Sequence, residues 1–475
     1  MIHIQPWETF FGGKVILCET PSLAFDFPAC CLTATQRACG VAESFEMGMT
    51  ATEKILARAS RREHVRPGDI VFPQPDLVIV HDGLVVSSKA ELDAVGIDRV
   101  FDRSKVYFVT DHDVVYTSPR AVERGTQIRR IVKEWGIDNF FDVGKGGHGH
   151  IFPIQTGVVG PGTFYFDNDR HCTNAGGIGA VGFRVGTEIA TVLATGTLWT
   201  KVPPTIRLTL KGRVKPGVFG RDVGFRIVQD LGKRGIDLDY RVLELAGDLD
   251  QFSLDERVAL CSSPTEMRAI GVFVPPSAAI VAEARLRAKR PFEPVFSDPD
   301  AEYEADLTLD LSEIEPQVVL TGGVDRGVDI STMAGTAINH AFIGSCGSGM
   351  YEDLVAAARV LKGRQVAPGV RLFVVPGSEL NTKRMQTDGL MQVFVEAGAM
   401  VMPAGCGICS SGKMGPVHSG EVSISTAADN VVGRFGAKDA ELYLASPATV
   451  AASAVAGRIT DPRDFQAFPP KGVAA

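Results

Sequence analysis

Leu77-Val78-Ile79-Val80-His81-Asp82-Gly83 is the stretch that decides the fold. Four consecutive apolar residues followed at once by His, Asp and Gly describe a short buried strand ending in a polar loop. The same design returns at Val106-Tyr107-Phe108-Val109, which ends at Asp111-His112-Asp113. Upstream, Thr50-Ala51-Thr52-Glu53 is a capping box ahead of Ile55 and Leu56, so a helix is predicted to start there. Downstream, Arg120 to Trp135 reads as a helix closed by Gly136. Strands alternating with helices predict an α/β fold with a largely parallel sheet.

Outward from this core, the chain has 475 residues, 45% hydrophobic and 22% charged, which excludes a mostly disordered protein. That length predicts about three domains at roughly 150 residues each. The 48 basic and 56 acidic residues leave a net charge of −8, which argues against nucleic acid or an anionic membrane as partner. No apolar run reaches the ~18–20 residues of a membrane span. Met1-Ile2-His3-Ile4-Gln5-Pro6-Trp7-Glu8 lacks the basic and apolar regions of a secretory signal, so a cytoplasmic location is expected.

Residues 1–46 carry Cys18, Cys30, Cys31 and Cys39 and no sustained period, and read as an extension with incidental thiols. A first α/β domain is expected over 47–205. Ile206-Arg207-Leu208-Thr209-Leu210 alternates like a half-buried strand and opens a second domain, 206–305, with a linker over Arg287–Asp306. A third domain takes 306–475. There Phe342-Ile343-Gly344 runs into Ser345-Cys346-Gly347-Ser348-Gly349, followed by a helix from Tyr351 to Leu361.

Ligands of parallel sheets bind beyond the carboxyl ends of the strands, which is where His81/Asp82 and Asp111/His112 fall. Asp169/His171 fits the same placement, and a small-residue helix is expected after Gly177. A carboxylate beside an imidazole fixes its tautomer and raises its basicity, although one such pair alone is more readily a satisfied structural histidine. Three pairs and His150 in one domain argue for a site. Cys406-Gly407-Ile408-Cys409 brings two thiolates within reach of one metal centre, and Cys346 sits in a Gly/Ser-rich turn after a strand. Three thiolates suit a cubane iron–sulfur cluster with one iron left open. Zinc and a redox dithiol remain alternatives on spacing alone.

The stretches Met47–Thr50, Glu53–Ala59, Pro67–Val71, Val80–Gly83, Asp111-His112, Asp169–Gly177, Phe342–Cys346, Ala404–Cys409, Gly433-Arg434 and Ala445–Pro447 occur in order. Together they resemble the aconitase superfamily, specifically the large subunits of 3-isopropylmalate dehydratase and homoaconitase-type enzymes. The resemblance implies three α/β domains around a cluster cleft, without the swivelling fourth domain of full-length aconitases. It implies one 4Fe–4S cluster per subunit on Cys346, Cys406 and Cys409. Asp111, His112, His150, Asp169, His171 and Glu266 match the family's catalytic acid and orienting groups. His81, Arg170, Asp429 and Arg434 fall where the family contacts substrate. A separate small subunit is implied as partner, supplying the swivelling domain and the serine that abstracts a proton.

Several positions depart from the family pattern. Ser-Cys-Thr-Asn becomes Ser345-Cys346-Gly347-Ser348, and Asp-Ser-His-Thr becomes Asp169-Arg170-His171-Cys172. Ser-Asn-Arg-Asn becomes Ala427-Ala428-Asp429-Asn430, and an Asn near the glutamate becomes Ser262. A positive charge has thus moved from position 429 to position 170, and an Arg170–Asp429 pair would balance the exchange. The expected activity is hydration or dehydration of a hydroxy carboxylic acid, with or without net isomerisation, in an altered pocket. Rival readings are a cluster-free RNA-binding relative and a member that uses another metal in the same cavity.

Overall fold

Leu77–His81 is the central strand of a five-stranded, all-parallel sheet in the order 139–141, 106–109, 77–81, 164–167 and 181–184. Every residue of that central strand is buried, which is why it reads as an unbroken apolar run. In this computed structural model the described residues are 47–465 and 468, so the expectations for 1–46 lie outside them. Thr50 caps helix Ala51–Ala59 through the capping box with Glu53. Helix Pro119–Trp135 ends at Gly136 in the left-handed conformation, φ 63°.

A small-residue helix does follow Gly177, at Ile189–Thr195, after the 3-10 run Arg170–Ile178 and the strand Val181–Arg184. A Cβ at Gly176 would lie 1.7 Å from the carbonyl oxygen of Val272, so the small residues here serve close backbone approach.

The second sheet is parallel, in the order 271–273, 242–247, 205–211 and 305–310. Strand Ala305–Asp310 pairs with Thr205–Lys211 residue by residue, so the second sheet extends past the expected boundary at 305. The third sheet has seven strands, in the order 327–329, 317–319, 441–445, 422–425, 340–344, 371–375 and 400–401. Its five later strands are parallel, and Gln317–Val319 joins them antiparallel. The fold is α/β with largely parallel sheets, as the strand–helix alternation predicted. None of the described helices is long and apolar enough to cross a membrane.

Helix Leu254–Glu266 carries Glu266 at its C-terminal end. Near its start, Asp255 accepts the backbone N–H of Glu352 at 2.9 Å. Burial first, then Glu352 and Glu283, push the Asp255 carboxyl up to about 7. Between the unfolded carboxyl value and that point the folded state binds the extra proton, so this group's contribution to stability is lost as pH rises from about 4 to 7. Asp255 is only half-buried, so the loss should be about 1–2 kcal/mol. Asp255→Asn should therefore unfold at a higher temperature than the parent at pH 8 and at the same temperature at pH 4. Matched thermal melts at the two pH values check this.

Candidate active site

The first sheet delivers imidazoles and carboxylates at its strand ends. His81, the last residue of its strand, has Nδ1 2.9 Å from both oxygens of Asp111. Its Nε2 lies 3.2 Å from His150 Nε2 and 3.3 Å from Asp167 Oδ1. Asp111 also receives His112 Nδ1 at 2.8 Å and the backbone N–H of Gly149 at 2.9 Å. Asp82 closes on His112 Nδ1 at 3.0 Å.

Burial opposes a charged imidazole at His81, but Asp111 and Asp167 outweigh it and raise His81 well above its ordinary value. The same contest at His112, with Asp111 and Asp82 on the winning side, pushes that imidazole up to about 10. Asp111 is held well below the carboxylate range, because His81 and His112 overcome its burial. His148 moves the other way, since burial dominates and holds it well below the usual imidazole value.

His171 is engaged at both nitrogens, with Nδ1 3.0 Å from Asp169 Oδ1 and Nε2 2.7 Å from Glu266 Oε1. Arg170 Nη1 donates to the other Glu266 oxygen at 3.1 Å. Against its burial, His171 and Arg170 keep the Glu266 carboxyl below its ordinary value. The Arg170–Asp429 pair suggested by the exchanged charges is not what forms. Asp429 instead faces Arg434, with Oδ2 4.0 Å from Nε.

The third sheet supplies the sulfurs. Strand His340–Gly344 leads into the turn Ser345–Ser348, where Ser345 holds a left-handed φ of 67°. Thr426 fixes this turn, its Oγ1 accepting the N–H of Gly344 at 2.8 Å and donating to the Gly344 carbonyl at 3.0 Å. Cys346, Cys406 and Cys409 are buried and disulfide-free. Ser345 Oγ lies 3.3 Å from Cys409 Sγ and 3.8 Å from Cys346 Sγ. Burial pushes the Cys346 thiol up to about 11.

Two links join the sulfurs to the imidazole wall. The Cys406 N–H donates to the Asp111 carbonyl at 2.8 Å, and the donor atoms of His148, His150 and Cys346 all lie within 4.8 Å of one another. Among the described residues, three further such groups are His81/His150/Asp167, His81/Asp111/His112 and His150/Asp169/His171. None of the four contains more than one cysteine.

The residues expected at a site thus come together. His81 has no exposed side-chain surface and both nitrogens engaged, by Asp111 and by Asp167. His112 keeps 26% of its side chain exposed, and with Nδ1 taken by two carboxylates only Nε2 is left to meet a ligand. Sequence reasoning passed over Asp167, whose Oδ2 stands 3.3 Å from His150 Nε2. Its one signal was a carboxylate ending the buried run Phe164-Tyr165-Phe166-Asp167.

The family model for the aconitase family (aconitate hydratase) matches residues 53–335 and 327–457. The 3-isopropylmalate dehydratase large subunit 1 of Methanopyrus kandleri is 41% identical over 421 residues, covering 88% of this chain and 100% of that protein. The 3-isopropylmalate dehydratase large subunit of Halothermothrix orenii is 37% identical over 420 residues, with 88% and 100% covered. Among solved structures, Thermococcus kodakaraensis aconitase X in its holo-form superposes with a TM-score of 0.47 at 12% identity, over 81% of this chain and 90% of that one. The extent of the family match and the identity to full-length relatives place this chain in the aconitase family of hydro-lyases.

Proposed function

We propose that this chain is the large subunit of a 4Fe–4S hydro-lyase that dehydrates and hydrates a hydroxy carboxylic acid of the 3-isopropylmalate type. The observation that carries the reading is the meeting of three buried thiols with an ordered imidazole–carboxylate wall, tied by the Cys406–Asp111 backbone bond. Cys346, Cys406 and Cys409 would hold the cluster. An all-sulfur donor set suits iron–sulfur ligation, and the absence, among the described residues, of any tight three-donor group with two cysteines fits one thiolate per iron better than three on a single ion. When bound, the cluster supplies a Lewis-acidic iron with an open position for the substrate's hydroxyl and carboxylate.

His112 is charged near neutral pH, its Nδ1 proton shared by Asp111 and Asp82, so Nε2 holds the proton to be given to the departing hydroxyl. His81 acts behind it, orienting Asp111 and His150. Glu266, kept ionised by His171 and Arg170, holds the leaving water or positions it for return. Arg434 and Arg170 offer guanidinium forks to substrate carboxylates. The base that removes the carbon-bound proton is a serine on a separate small subunit. The names of the matched large subunits support a separate small subunit as partner.

Coupled assays with a small subunit of the dehydratase type test the proposal on a panel of hydroxy di- and tricarboxylates. Turnover of at least one acid only when both chains are present supports it. Full turnover by this chain alone, or none by the cluster-loaded pair on any acid, overturns it. Within that assay, Arg170→Ser should raise KM about fivefold, ~1 kcal/mol, because the side chain is 53% exposed and its contact is screened. An unchanged KM would remove Arg170 from the substrate site. Adding Asp429→Arg should shift the ranking toward citrate-like acids.

A further inference from the structure

Arg221, in the first turn of helix Gly220–Lys233, has no exposed surface. Its Nη2 donates to the Ala427 carbonyl at 2.7 Å and its Nη1 reaches Ser263 Oγ at 3.4 Å. Its Nε is buried without a hydrogen-bond partner, and the guanidinium sits 4.4 Å from the centroid of the Phe225 ring. These contacts are all neutral, and among the described residues no carboxylate forms an ion pair with it. A buried cation without a counter-ion is costly, and the positive end of the helix dipole adds to the cost. Something negative is therefore required beside it.

The turn carrying Cys346 provides the place. A Cβ on Gly347 would stand 3.1 Å from Arg221 Cζ and 2.9 Å from the Thr426 carbonyl oxygen. The family motif that this turn resembles has threonine there. The bare glycine is what lets the planar guanidinium lie against the backbone next to Cys346. Burial lowers the Arg221 guanidinium to about 10, and the nearby sulfurs of Cys346 and then Cys409 oppose that fall ahead of Asp353 and Glu266.

We infer that Arg221 is the counter-cation of the iron–sulfur cluster, a positioning residue whose buried charge is balanced by the thiolate-ligated group and which in turn stabilises that group. The inference rests on the cluster reading of Cys346, Cys406 and Cys409. It predicts opposite effects with and without the cluster: a cation that stabilises the loaded protein is an uncompensated buried charge in the stripped one.

The test uses the full chain, Arg221→Met and Arg221→Lys, each reconstituted anaerobically and each also stripped of iron by chelation. Arg221→Met should release iron to a ferrous chelator at least tenfold faster than the parent. Its cluster should also be harder to reduce in a dithionite titration, a tenfold effect being 59 mV for a one-electron couple. Arg221→Lys, which keeps the charge, should stay near the parent on both. In the stripped proteins Arg221→Met should melt at or above the parent temperature. If Arg221→Met lowers the melting temperature of the stripped protein and leaves iron release and midpoint unchanged, Arg221 is a structural donor and the inference is wrong. Failure of Arg221→Lys to the same degree as Arg221→Met would also overturn it. A parent chain that takes up no iron and sulfide would instead overturn the cluster reading itself, and the inference with it.

Discussion

Each of Cys346→Ser, Cys406→Ser and Cys409→Ser is expected to lose most of its iron, falling well below the roughly four irons per chain of a reconstituted cubane. A serine alkoxide is a harder and far more basic ligand than a thiolate, so the substitution weakens the bond without adding bulk. With the Lewis acid gone, hydration in the two-subunit assay should fall by about a thousandfold, ~4 kcal/mol of transition-state stabilisation. The fold should survive, because serine fills less space, although each buried hydroxyl should cost about 1–3 kcal/mol of stability. Iron analysis and circular dichroism on the three variants separate loss of ligation from loss of structure. Full iron retention in all three would remove these residues from the site.

Asp111→Ala should be the most damaging change away from the sulfurs. The carboxylate receives His81 Nδ1, His112 Nδ1 and the Gly149 N–H, and its backbone carbonyl anchors Cys406. Truncation leaves His81 Nδ1 and the Gly149 N–H without this acceptor in a buried setting and Asp82 alone on His112 Nδ1, a loss of about 3–5 kcal/mol of stability. The His112 imidazole should fall from about 10 toward its ordinary value, so less of it carries the Nε2 proton near neutrality. We expect kcat to drop about 10²- to 10⁴-fold. Asp111→Asn, which keeps the shape and one acceptor, should recover much of the stability and little of the rate. Equal recovery of both by Asn would make Asp111 a structural group only.

The fold was legible in the sequence where burial left an unambiguous pattern. Leu77–Val80 and Val106–Val109 send alternate residues into two hydrophobic clusters, one on each face of the sheet, so every position had to be apolar, and Thr50–Glu53 and Gly136 mark helix ends by chemistry that depends on few neighbours. The packing of the Asp169–Ile178 run was not legible, because its small residues answer to Val272 and Val258, which lie far along the chain. In the site, strand-end placement exposed the His/Asp pairs, while partner choice stayed hidden. Arg170 meets Glu266 across 96 positions and not Asp429, and His81 is sealed off by Asp167, a carboxylate in an otherwise aromatic strand. The first pairing depends on how a loop of the first sheet meets a helix of the second, and the other on strand order within the first sheet, which no local pattern records. Arg221 gave no signal either, since a charged residue in the first turn of an amphipathic helix ordinarily faces solvent.

The measurement closest to the central claim is the iron and acid-labile sulfide content of the unmodified chain after anaerobic reconstitution, read with its visible absorbance. The site described here predicts about four irons and four sulfides per chain, with broad sulfur-to-iron absorption that bleaches as oxygen strips the open iron. A single bound metal without sulfide would contradict it, assigning the imidazole–carboxylate groups to a mononuclear centre and the three cysteines to packing.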